Sequence, residues 1–187
     1  MRDLLRQLEG GDRRSIRGVR DVVDQVIANP ALFPVVFHGM GDADPLVRMR
    51  CADAVEKITA ARPQYLAPYK KRVMRLAAVT EQKEVRWHLA QLLSRLEFDA
   101  PERRQVVEML NEYLTDTSRI VKTFARQALA DIAEQEPELS ASIIERLRKL
   151  SRTGSPAMRS RGRKLLARLK RPQSGLATGS GGRRARL

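Results

Sequence analysis

One recurring spacing constrains this chain more than any other feature. From Val47 the sequence runs VRMRCADAVEKI, with Val47, Cys51, Ala54, Val55 and Ile58 at intervals of four, three, one and three. That is the apolar stripe of a helix buried along one side. The same order of residue types returns as Val85 with Leu89, Leu92, Leu93 and Leu96, and as Val121 with Ala125, Ala128, Leu129 and Ile132. A fourth copy runs Met158, Gly162, Leu165, Leu166 and Leu169. The four opening residues stand 38, 36 and 37 residues apart. A near-constant step of that size marks an array of helical repeats, each too small to bury its apolar face alone.

Proline punctuates the array in the same phase. Pro30, Pro63, Pro101 and Pro137 stand 33, 38 and 36 residues apart. Proline fixes the first turn of one helix and ends the helix before it. Pro34 and Pro68 lie just inside their segments and are expected to bend or delay the helix. Asp44 followed by Pro45 reads as an N-cap and first-turn pair. These marks predict helices over about 1–9, 13–28, 30–39, 44–61, 64–78, 82–97, 101–115, 117–135, 138–152 and 155–170. The second of these is expected to be capped by Asp12 and to carry Ile16, with Arg17 behind it as Arg48 follows Val47. No stretch alternates as a strand does.

The chain resembles the HEAT-repeat family. The residues that carry the resemblance are the Val-Arg openings and the small residues behind them, such as Cys51, Ala54, Ala125 and Ala128. The resemblance implies an all-α, right-handed α-solenoid of about five helix pairs, with second helices along the concave side. The expected domain is 1–170, divided into a degenerate first repeat at 1–29 and repeats at 30–61, 63–98, 101–135 and 137–170. The tail 171–187 is small, polar and basic, and is expected to be disordered. HEAT arrays host scaffolds, transport factors and a few DNA-repair enzymes, so the resemblance speaks to architecture before activity.

Charge divides the chain in two. The net charge is +14, yet all 22 acidic residues fall at or before Glu145, and the same stretch holds 22 of the 36 lysines and arginines. The body is formally neutral and the C-terminal end purely basic. Such an end attracts a polyanion: nucleic acid, an acidic protein or an anionic membrane surface. One cysteine excludes an internal disulfide and a cysteine-based zinc site, and Cys51 takes a core slot as an inert thiol. No apolar run reaches a membrane span, and MRDLLRQLEGGD lacks a signal peptide's apolar region. A soluble, cytoplasmic monomer without a cofactor is the expectation.

Function in a repeat array is written on the slots beside the buried stripe. Counting each opening residue as the first slot, the second slot reads Arg17, Arg48, Arg86, Lys122 and Arg159. Either it forms a basic track for phosphates or acidic side chains, or each cation pairs with a neighbouring acid such as Asp42, Asp44, Glu81, Glu84 or Asp116. The third slot holds Met49 and Trp87, and an aromatic among cations can stack a base or hold a peptide side chain. Trp87 packed between helices is the alternative. The sixth slot changes from Ala52 and Ala90 to Arg126 and Arg163. Arg50, His88 and Arg161 occupy the fourth. The basic end adds Arg161, Lys164, Arg168, Lys170 and Arg171, expected to be unpaired.

His38 and His88 lack a second ligand at metal spacing, and no glycine-rich phosphate loop is present. Some HEAT-like proteins resemble alkylpurine DNA glycosylases, with tryptophans and an aspartate on a basic concave face. Asp53 beside Trp87 could mimic that pair, but the second tryptophan is missing. The reading that follows is a non-catalytic scaffold for an acidic protein or peptide segment, with nucleic acid as the alternative partner.

Overall fold

A computed structural model of the chain describes residues 2–12, 15–152 and 156–170. Ten α-helices follow one another with no strand among the described residues: α1 (Arg2–Arg6), α2 (Val19–Ala28), α3 (Phe33–Gly39), α4 (Pro45–Ala61), α5 (Lys70–Val79), α6 (Lys83–Leu93), α7 (Ala100–Tyr113), α8 (Arg119–Gln135), α9 (Pro137–Leu150) and α10 (Pro156–Leu169). The expected disordered tail and Arg171 lie outside the described residues. Among the described residues no helix is long and apolar enough to cross a membrane.

The caps explain where helices start. Asp44 accepts the Leu46 amide at 2.8 Å. Asp99 and Glu102 form a reciprocal capping box at α7, and Ser118 caps α8. Pro68 delays α5 as expected: the segment opens with two 3₁₀ turns, Pro63–Tyr65 and Ala67–Tyr69, before the α-helix begins.

The stripe residues form the core. Val47, Cys51, Ala54, Val55 and Ile58 of α4 are buried, as are Val85, Leu89, Leu92 and Leu93 of α6 and Val121, Ala125, Ala128 and Leu129 of α8. In α10 only Gly162 and Leu165 of the stripe are buried, because no further helix among the described residues covers the far side. Burial pushes the Cys51 thiol up to about 12, helped by the charge of Asp42, so it stays protonated and inert. The helices α4, α6, α8 and α10 stack into one layer, and α3, α5, α7 and α9 each lean on their own partners in it.

The N-terminal segment departs from expectation. The helix expected from about residue 13 starts as α2 only at Val19, and Ile16 is 61% exposed instead of joining a stripe. Gly18 holds the boundary. Its φ is +74°, and a Cβ there would lie 2.1 Å from the Gln7 carbonyl oxygen, so the chain crosses itself where only glycine fits.

That crossing is fastened by Arg50, expected to add surface basicity but completely buried. Its Nη1 donates to the carbonyls of Leu8 (2.7 Å) and Gly10 (2.6 Å), its Nη2 to Asp12 (3.0 Å) and its Nε to Ser15 (3.0 Å). The fork geometry of guanidinium lets one side chain serve four main-chain acceptors. Asp12, expected as a cap, contributes its carbonyl to this staple instead.

Candidate binding face

Four of the second-slot cations lie on the stacked layer, each half-buried, and they differ in what holds them. Arg48 donates to Gln82 Oε1 (2.8 Å) and to the carbonyls of Asp42 (2.7 Å) and Ala43 (2.9 Å). Its inter-repeat partner is thus an amide rather than the expected carboxylate, and Gln82 returns a bond to the Pro45 carbonyl at 2.8 Å. Arg86 does meet an acid: its Nη1 donates to Asp116 at 2.7 Å, and its guanidinium lies 5.2 Å from the Tyr113 ring centroid. Burial raises the Asp116 pKa, but the Ser118 amide and the Arg86 guanidinium outweigh it, so the carboxyl stays below its ordinary value. Lys122 adds its charge near the same aspartate, and Arg159 stands on α10. Arg17 lies outside any helix and joins no ladder.

The third slot splits. Met49, expected on the open side, is buried, and Trp87 is half-buried with part of its ring packed on the core. Both readings of Trp87 therefore hold in part, since the rest of its surface is open.

The sixth slot carries the most unusual charge. Arg126 is 7% exposed and its Nε has no hydrogen-bond partner. No carboxylate lies within ion-pair distance of it among the described residues. Burial alone lowers its pKa, yet an arginine remains charged under any ordinary condition. A buried cation without a counter-charge is costly, and an anionic group brought to it gains a charge-assisted bond away from bulk water. Arg163 holds the same slot on α10 and is exposed.

The basic end is not uniformly free. Arg168 pairs with Asp131 (2.7 Å) and Glu134 (2.6 Å), while Arg148 and Lys149 pair with Glu145. The expectation that cations beyond Glu145 go unpaired fails for these three: stacking brings acids of α8 to Arg168, while Arg148 and Lys149 lie one turn from Glu145 on α9 itself. Arg161, Lys164 and Lys170 are exposed, and Arg161 lies 5.9 Å from the Phe124 ring centroid.

Sequence spacing also missed a polar group at the α4–α6 joint. Asp53 and Glu56 stand beside His88, which lies more than 30 residues further along the chain. Counting slots places His88 in the fourth and Asp53 in the seventh, and only the stacking of α6 on α4 brings these two slots together.

Stacked helix pairs with buried stripes and a polar outer slot series define a helical-repeat α-solenoid. No family model matches the sequence, and no curated protein matches it. Among solved structures the chain is similar to computationally designed armadillo repeat proteins for modular peptide recognition, with 18% identity and a TM-score of 0.59 over 88% of this chain and 79% of that one. The likeness is one of fold.

Proposed function

We propose that this chain is a HEAT-like, non-catalytic binding module that takes an acidic segment of a partner protein along a concave face built by α4, α6, α8 and α10. The observation that carries the reading is Arg126, a buried guanidinium without a carboxylate on the same layer as Lys122, Arg159 and Arg163. It offers a seat for a side-chain carboxylate, and Trp87 offers an apolar contact one repeat away. The peptide-recognition role named for the structurally similar designed proteins agrees with this use of the face.

Charge distribution favours a peptide over a nucleic acid. Asp53, Glu56, Asp131 and Glu134 share the layer with the cations. A phosphate backbone carries negative charge at every step and would meet those acids, whereas a peptide can place its carboxylates only opposite the arginines. Asp53 is tied to Lys57 and buried, which suits structure better than base excision. The exposed Arg161, Arg163, Lys164 and Lys170 support the second reading, in which nucleic acid binds the C-terminal end.

Fluorescence anisotropy with a labelled glutamate-rich peptide, duplex DNA and RNA separates the two. Peptide binding is expected, and Arg126→Gln with Arg163→Gln should weaken it by at least about tenfold, or about 1.4 kcal/mol, at a melting temperature no lower than that of wild type, since the change removes an uncompensated buried charge. The double variant binding peptide as tightly as wild type would remove Arg126 from the site. Duplex DNA bound in preference, with affinity falling steeply in salt, would replace the peptide reading by the nucleic-acid one.

A further inference from the structure

We propose that Asp53, Glu56 and His88 form a binding site for a first-row divalent cation, Zn²⁺ foremost, at the joint between α4 and α6. One ligand atom from each residue lies within 4.8 Å of the other two. Asp53 and Glu56 are one turn apart on α4, and His88 reaches them from α6, so the site is assembled only when two repeats stack.

The polar atoms at this joint are incompletely used by the protein itself. Asp53 and His88 are each 8% exposed. Asp53 Oδ2 and His88 Nδ1 are buried without any hydrogen-bond partner. His88 Nε2 stands 3.9 Å from Asp53 Oδ1, beyond hydrogen-bond reach. A buried carboxylate oxygen and a buried imidazole left unpaired side by side are costly, and native structures seldom keep such groups without a partner. An ion between them would satisfy both at once.

The charges nearby fit an exchangeable occupant. Lys57 pairs with Asp53 Oδ1, and its side chain is 43% exposed, so it can swing to water as the ion takes its place. Arg95 is held more firmly. It donates to the Glu56 carbonyl (2.8 Å), to Thr59 Oγ1 (3.0 Å) and to Glu56 Oε1. That bond leaves the second carboxylate oxygen of Glu56 to a metal and holds the side chain in place.

The donor set selects the class of ion. Calcium and magnesium want an all-oxygen shell, six or more ligands for calcium, whereas an imidazole with two carboxylates suits zinc and its first-row neighbours. Three protein ligands leave the remaining positions to water.

The test uses the full chain, stripped with a chelator and titrated with Co²⁺ as a spectroscopic probe and with Zn²⁺ by calorimetry. One equivalent should bind, with a visible cobalt band that zinc abolishes and a rise in melting temperature with zinc. His88→Gln and Glu56→Gln should each weaken uptake by at least about 100-fold, since even an outer-shell partner is worth about 10–100-fold. Both variants keep the helices if their circular dichroism melts remain cooperative. Asp53→Asn serves as a third variant should either of the first two unfold. The proposal falls if neither ion is taken up, or if the folded variants bind as wild type does, which would place the ion elsewhere on the chain. Peptide binding by Arg126 is read separately and does not depend on this outcome.

Discussion

Arg50→Ala lowers stability by about 2–4 kcal/mol, a large share of what a domain of this size holds in reserve. The side chain is fully buried and donates to four main-chain carbonyls. Removing it strands the Leu8 carbonyl inside the protein, while those of Gly10, Asp12 and Ser15 can return to water. Arg50→Lys recovers only part of the loss, because one ammonium cannot reach acceptors spread around a fork. Chemical denaturation gives the magnitude, and hydrogen exchange at Leu8 and Glu9, whose amides donate to the Leu5 and Arg6 carbonyls, gives the location. The amides there should exchange much faster in both variants while α6 and α8 stay protected. A change under about 0.5 kcal/mol in the alanine variant would mean that the staple is dispensable.

Leu93→Ala costs roughly 2–5 kcal/mol, the range for a buried leucine cut back in a well-packed core. Leu93 is completely buried on α6, which lies between α4 and α8 and rests on α5. Neighbours on every side leave little room for the cavity to collapse, which favours the upper part of the range. Urea titration with an unchanged slope would report a loss of packing rather than a looser native state. A cost under about 1 kcal/mol would show the cavity closing almost completely.

These two residues also mark what could be read from the sequence and what could not. Leu93 was legible because a stripe is local: four intervals on one helix decide which face is buried. The starts of α4 and α5 were legible for the same reason, through Asp44 and through Pro68. Arg50 was not. Its slot lies off the stripe, and slots off the stripe face water unless another segment folds over them. The covering segment sits about 40 residues earlier and is recognisable only by its glycines, so a buried cation looked like surface charge.

The proposed binding face shows the same division. The cations of the second slot were legible as a series, but their partners depend on which side chain the neighbouring repeat presents. Arg48 found Gln82 and Arg86 found Asp116 from equivalent positions. Arg126 is a subtler case. Its place in the sixth slot was plain, but its burial without a counter-charge needed the packing of α8 in the layer.

The ion pairs between repeats have a mechanical consequence. Lys70–Glu102, Arg86–Asp116, Arg95–Glu56 and Arg168–Asp131 each join residues 30 to 39 apart, about one repeat, and no pair skips a repeat among the described residues. Tension applied to the two ends must therefore pass through every joint in turn, as through a coil spring. Among the described residues no strut shares the load between distant turns. Such a body stretches a little at each joint before any one gives way, and its compliance grows with the number of turns. A ligand lying across two joints would clamp them together and stiffen that stretch alone.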